Sequence, residues 1–214
     1  KAFKPNVHLI YNGFDPELFF PEVLPSKQFT ITYTGRLLSL ALRDPYLLFA
    51  AIQCLDKAQT IQPGTFRVAW YTDADSQALI EQEADSFGVS SYMDYRGYVP
   101  AAEIPHILKR SCVLLILTNK AEKDKLQGIM TTKFFESLAV EKPILCVRSD
   151  ESCLAETIEH TRSGLAATSV EEVCDFLRQH YTEWKEKGYT TSSVDREQLK
   201  SFSRKEQASQ FAQL

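Results

Sequence analysis

Several signatures are missing from these 214 residues, and each absence removes a class of chemistry. There is no C-x-x-C pair and no H-E-x-x-H, and the four histidines (His8, His106, His160 and His180) are scattered. A zinc site or a thioredoxin-like redox centre is therefore not expected, and no metal is assigned. No candidate strand is followed by G-x-G-x-x-G, and G-x-x-x-x-G-K-[ST] is absent, so neither a dinucleotide fingerprint nor a Walker loop is present. Basic excess is lacking too. With 24 Lys and Arg against 28 Asp and Glu the net charge is -4, which argues against nucleic acid as a partner. Apolar runs such as 112–117 are far too short to cross a bilayer, and no signal peptide is visible. The five cysteines (Cys54, Cys112, Cys146, Cys153 and Cys174) are odd in number, and Cys112 and Cys146 lie in apolar runs. They read as free thiols in a reducing, cytoplasmic compartment.

What is present is an alternation. Segments 7–11, 29–34, 66–72, 92–96, 112–117 and 144–147 are rich in β-branched and aromatic residues and read as strands. Between them lie helical patterns. In "RDPYLLFAAIQCLDKA" (43–58), Leu47, Ala50, Ala51 and Leu55 share one face, and 76–87 and 101–110 are also helical. Ser169 with Glu172, and Ser203 with Glu206, have the spacing of capping boxes for two further helices. The polar stretch 188–201 reads as a loop or linker. Strands alternating with helices give an α/β fold, a Rossmann-like doubly wound parallel sheet with helices on both faces. "CVLLILT" is apolar on both sides, as a strand covered by two helical layers should be. In such sheets ligands sit beyond the carboxyl ends of the strands.

Two loops at those ends stand out. Gly35 follows the first central strand directly, with Arg36, Arg43 and a helix start near Asp44 and Pro45 behind it. A glycine, two guanidinium groups and a helix N-terminus can cradle an anion. A tight turn with solvated arginines fits the same residues equally well. The second loop leads into "TTKFFESLAVEKPILCV", residues 131–147. At 100° per residue Phe134, Phe135, Leu138 and Ala139 face the sheet, while Lys133, Glu136, Ser137 and Val140 lie opposite. Thr131 or Thr132 can cap this helix. A lysine in the first turn opposes the helix dipole. On helix statistics Lys133 and Glu136 are a plain surface pair. The functional alternative is that Lys133 and the free N–H groups meet a phosphate while Glu136 accepts from paired hydroxyls.

In order and spacing, these motifs resemble the C-terminal, nucleotide-sugar-binding domain of family 4 glycosyltransferases, which have the GT-B fold. The resemblance runs through "IYNGFDPELF" (10–19), "TYTGRL" (32–37), "YRGYVPAAEIPHILKRSCVLLIL" (95–117), "TKFFESLAVEKPILCV" (132–147), "SGLAA" (163–167) and "FSRKEQASQFAQL" (202–214). It implies that Gly35 and Arg36 bind the donor diphosphate, with Arg43 as a second basic residue. It implies that Glu136 is the second glutamate of an E-x(7)-E element and binds the ribose hydroxyls. Thr131, Thr132, Lys133 and Phe134 would contact phosphate, Gly97, Tyr98 and Val99 would lie near the base, and Thr118 near the sugar or phosphate. The first glutamate of the element is replaced by Gly128. Resemblance further implies retention at the anomeric carbon, a UDP- or GDP-sugar donor, no cofactor and no metal. The whole of 1–214 is expected to form one donor domain, with 1–27 as lead-in and 188–214 as loop and closing helix. An N-terminal acceptor domain is expected to precede it and to complete the active site, so that the chain alone binds a nucleotide without transferring sugar.

Two other function classes are compatible with the residues. One is a GT-B epimerase or hydrolase, although no histidine or acidic pair marks it. The other is a non-catalytic binding or assembly module, which Gly128 keeps in view. An NAD-dependent protein is disfavoured by the missing fingerprint. Trp70 and Tyr71 are expected in the core, His106 on the surface, and Tyr98 either stacked on a base or against the sheet edge.

Overall fold

A computed structural model of the chain describes residues 8–118, 130–147 and 152–213. Six strands form one sheet: β1 Phe29–Thr34, β2 Phe66–Tyr71, β3 Met93–Tyr95, β4 Val113–Leu117, β5 Ile144–Val147 and β6 Gly164–Ala167. Their order is β3-β2-β1-β4-β5-β6, and every pairing among the described residues is parallel. The helices are α1 Tyr46–Lys57, α2 Ala74–Ser86, α3 Ile104–Lys109, α4 Thr132–Ala139, α5 Ser152–Thr161, α6 Val170–Lys187, α7 Arg196–Lys200 and α8 Arg204–Phe211. The chain moves outward in one direction from β1 and in the other from β4. The doubly wound sheet expected from the alternation is therefore present.

Alternation along the central strands explains the two-sided core. Val113, Leu115 and Leu117 of β4 join Phe29, Ile31 and Tyr33 of β1 on one face, covered by α1 and α6. Leu114, Ile144 and Cys146 turn to the other face, where Phe134, Phe135 and Leu138 of α4 and Leu154 and Ile158 of α5 meet them. Successive strand residues point to opposite sides, so a strand between two helical layers must be apolar throughout. Trp70 is fully buried, and its indole N–H meets Met93 Sδ at 3.1 Å. Cys112, Cys146 and Cys174 are buried, and all five cysteines are free thiols.

The α6 capping box is complete: Glu172 N donates to Ser169 Oγ at 3.2 Å, and Ser169 N donates to Glu172 Oε2 at 3.2 Å. Only half of the second box forms. Glu206 N donates to Ser203 Oγ, but the Ser203 N–H is taken by the Lys200 carbonyl.

Two expectations need correction, and one strand was not foreseen. Residues 8–11 form no strand, because no sheet edge lies beside them; Leu9 is 74% exposed. Segment 188–201 is not all loop. Asp195 caps α7 by accepting from the N–H groups of Glu197 and Gln198, and the helix buries Leu199. Finally, 164–167 is a strand, although "GLAA" contains no β-branched or aromatic residue. Its register puts Gly164 opposite Ile144. A Cβ on Gly164 would overlap the Ile144 carbonyl oxygen and lie 2.7 Å from its backbone N and C. Close backbone approach, not side-chain propensity, selects the glycine. Gly164→Ala is expected to push β6 off β5 and to cost on the order of 2 kcal/mol, seen as a lower urea midpoint with an unchanged slope.

Candidate functional site

The strand order reverses between β1 and β4, and the crevice beyond their carboxyl ends is where a ligand fits an open α/β sheet. Three elements converge there: the loop after β1, the end of β4 at Thr118, and the first turn of α4. They enclose a cavity of about 20 Å³, lined by Thr32, Thr34, Arg43, Leu117, Thr131, Lys133 and Ser137 among others. It is room for one water molecule beneath a wider opening.

Gly35 and Lys133 form the floor of that opening. Gly35 donates to the Tyr71 carbonyl at 2.8 Å and adopts φ +126, a backbone conformation that L side chains rarely take. A Cβ there would overlap Lys133 Nζ and lie 2.6 Å from Lys133 Cε. The lysine ammonium thus occupies the space that any other residue at position 35 would fill. It makes no ion pair among the described residues. Burial lowers its pKa from the ordinary lysine value, Arg43 adds to the shift, and Glu136 opposes it. A cation held this way at a helix start lacks a close counter-charge and has a natural one in an arriving anion.

The two arginines behave differently. Arg43 lines the cavity and donates through Nη1 to the Arg36 carbonyl, which also accepts from Tyr33 Oη at 2.9 Å. Burial raises the Tyr33 phenol, and Arg43 draws it partly back. Arg36 instead turns outward. Its Nε lies 2.7 Å from Asp73 Oδ2, at the start of α2. The loop is fastened to the same turn by a buried bond from Leu37 N to Ser76 Oγ at 2.9 Å.

At α4, Thr131 is the N-cap residue, but its side chain makes no capping bond. Phe134 N donates to the Thr131 carbonyl at 3.1 Å, so the N–H groups of Thr132 and Lys133 precede the first such bond. Phe134 is fully buried, and Thr132 is exposed. Phe134 can therefore offer a ligand only backbone. Ser137 and Val140, expected on the outer face, are buried: α4 is covered on a second side, where Ser137 borders the cavity. Glu136 is half-buried. Burial raises its carboxyl pKa, while Lys133 and, less strongly, Arg204 oppose the rise.

Thr118 is buried at the end of β4. Gly97, Tyr98 and Val99 follow β3, two strands from β1. Gly97 has φ +68, and Tyr98 is 80% exposed, so it does not pack on the sheet. Gly128 lies outside the described residues. Sequence reading missed Asp73, Ser76, Tyr33 and Ser137. The available signal was "DADS" directly after β2, an N-cap pattern at the carboxyl end of a strand.

No family model matches the sequence, and no curated protein matches it. Solved structures do. The sucrose-phosphate synthase of Thermosynechococcus elongatus aligns with TM-score 0.68 at 16% identity, over 96% of this chain and 51% of that one. Anabaena HepE, solved in complex with UDP, aligns with TM-score 0.69 at 16% identity, over 95% of this chain and 56% of that one. The C-terminal domain of a glycosyl transferase group 1 family protein from Francisella tularensis aligns with TM-score 0.55 at 14% identity, over 92% and 95%. The fold is shared with these glycosyltransferases, and the chain spans about half the length of the first two. Among the described residues no helix is long and apolar enough to cross a membrane.

Gly35→Ala tests the floor. The new methyl group must displace the Lys133 ammonium and adopt a strained backbone, so thermal stability should drop. Gly35→Ala/Lys133→Ala removes the steric part alone and should recover part of that loss.

Proposed function

We propose that this chain is the donor-binding half of a GT-B glycosyltransferase, which moves a sugar from a nucleoside diphosphate to an acceptor hydroxyl. The observation that carries the reading is the Lys133 ammonium seated on the bare backbone of Gly35 at the point where the strand order reverses. The shared fold and the UDP held by Anabaena HepE support it, and UDP is the first donor base to test.

In this reading the diphosphate enters above Gly35. Lys133, Arg43, Arg36 and the N–H groups of Thr132 and Lys133 surround it. Their charge is worth most when the glycosidic C–O bond breaks and the leaving diphosphate gains negative charge. Glu136 accepts from the ribose hydroxyls, and the charges of Lys133 and Arg204 offset part of the burial that disfavours its ionised form. Two strand spacings, about 10 Å, separate β1 from β3 and bring the base toward Gly97, Tyr98 and Val99. Thr118 borders the phosphate or sugar. Transfer proceeds with retention, uses no cofactor or metal, and requires an acceptor domain across the crevice. The free thiols suit a cytoplasmic setting. The competing reading, a binding module without transfer, rests on Gly128.

A thermal-shift panel with UDP, GDP, ADP and CMP, followed by calorimetry, tests the site. One diphosphate should raise the melting temperature by mass action. Lys133→Ala should weaken it about tenfold, the scale of one charge-assisted hydrogen bond, and Glu136→Ala should also weaken it. No stabilisation by any nucleotide at millimolar concentration would overturn the donor site, and sugar transfer by this chain alone would overturn the need for a second domain.

The site should also respond to alkali. Only the protonated amine attracts phosphate, and the Lys133 pKa is depressed. Affinity should therefore begin to fall below the ordinary lysine range as pH rises. In Lys133→Gln that fall should be absent and the remaining affinity flat with pH.

A further inference from the structure

Asp73 is a carboxylate placed directly on Arg36, a cation of the site, and the transfer reaction gives it no task. Its two oxygens are divided. Oδ1 accepts from Ser76 N at 2.9 Å and caps α2. Oδ2 lies 2.7 Å from Arg36 Nε. The loop backbone does not depend on that second contact. Leu37 is fastened to Ser76 Oγ, Gly35 to the Tyr71 carbonyl, and the Arg36 carbonyl to Tyr33 and Arg43. So Oδ2 is the oxygen set against the guanidinium, while Ser76, through its N–H and its hydroxyl, ties the carboxylate to the turn on which Leu37 is fastened.

We propose that Asp73 is an internal competitor for Arg36: it holds the guanidinium while the site is empty, yields it to the incoming diphosphate, and so sets how tightly the anion binds. The inference rests on reading the crevice as a diphosphate site. A guanidinium fork matches carboxylate and phosphate equally well, so the two ligands exchange at one group. The pair is held loosely enough to exchange. The Arg36 side chain is 68% exposed and that of Asp73 is 25% exposed, and an ion pair so open to water is weak. A diphosphate brings more charge than one carboxylate and also meets Lys133 and Arg43, so it wins. Asp73 then remains beside the bound anion as a like charge, within the screening length at physiological salt. The pair therefore opposes ligand binding twice, once before binding and once after.

Asp73→Asn separates the two roles, because asparagine caps a helix as well as aspartate does while carrying no charge. The probes are UDP and inorganic pyrophosphate, titrated calorimetrically into the wild-type chain, Asp73→Asn, Arg36→Ala and the double variant, at low and high salt. Asp73→Asn should bind both probes about two- to fivefold more tightly at low salt, the scale of one exposed ion pair, and the gain should shrink at high salt. In the Arg36→Ala background the gain should be smaller. In the free wild-type protein the Arg36 Nε–H resonance should sit where a carboxylate-bound guanidinium does, and it should move on adding pyrophosphate. Weaker or unchanged pyrophosphate binding by Asp73→Asn, with the fold intact by circular dichroism, would overturn the proposal, as would failure of pyrophosphate to bind either protein. Tighter pyrophosphate binding with no response to any nucleotide would sustain the competitor and reject the nucleotide reading alone.

Discussion

The arrangement depends on one contact, the Lys133 side chain lying against the Cα of Gly35. It joins the two sides of a sheet whose strand order reverses between them. β1 sends its loop toward α1 and α2, and α4 follows β4 toward the other edge. Only a residue without a Cβ lets the ammonium lie so close to the backbone of the neighbouring loop. Much of the rest follows. The ammonium is stripped of water, which lowers its pKa. Arg43 is kept nearby by the Arg36 carbonyl, so two cations share one small volume. Glu136, one turn along α4, partly balances them, and burial raises its own carboxyl pKa against the pull of Lys133 and Arg204.

The site divides by flexibility as well as by charge. Gly35 and Leu37 are pinned by backbone bonds, and Phe134 anchors α4 in the core. The Arg36 side chain and Tyr98 stand in solvent. The backbone of the β1 loop and α4 is thus held, while these two side chains stay open to solvent.

The sheet centre was legible because burial on both faces leaves a local mark. "FTITYT", "CVLLIL" and "ILCV" carry it, as do Gly35 and the misplaced charge of Lys133. What was not legible depends on distant partners. The strand character of 164–167 comes from the backbone of β5, not from its own side chains. The lead-in 8–11 has strand-like residues and no neighbour to pair with. Segment 188–201 hid α7 because a five-residue helix buries one leucine and shows no periodicity. Asp73 was overlooked because a capping aspartate looks the same whether or not its second oxygen is engaged. The inward turn of Ser137 required the packing around α4 to be known.

The ends of the described chain also meet. Phe14 N donates to the Phe202 carbonyl, Arg204 N donates to the Phe14 carbonyl, and Gln207 Nε2 reaches the Tyr11 carbonyl at 2.7 Å across 196 residues of sequence. Closing so long a loop carries a large entropic cost that local contacts do not repay. Arg204 lies within this seam, and its charge lowers the pKa of the Glu136 carboxyl. The Glu136 side of the crevice is thus linked to both ends of the described chain, whereas the Gly35 floor draws on the sheet and α4.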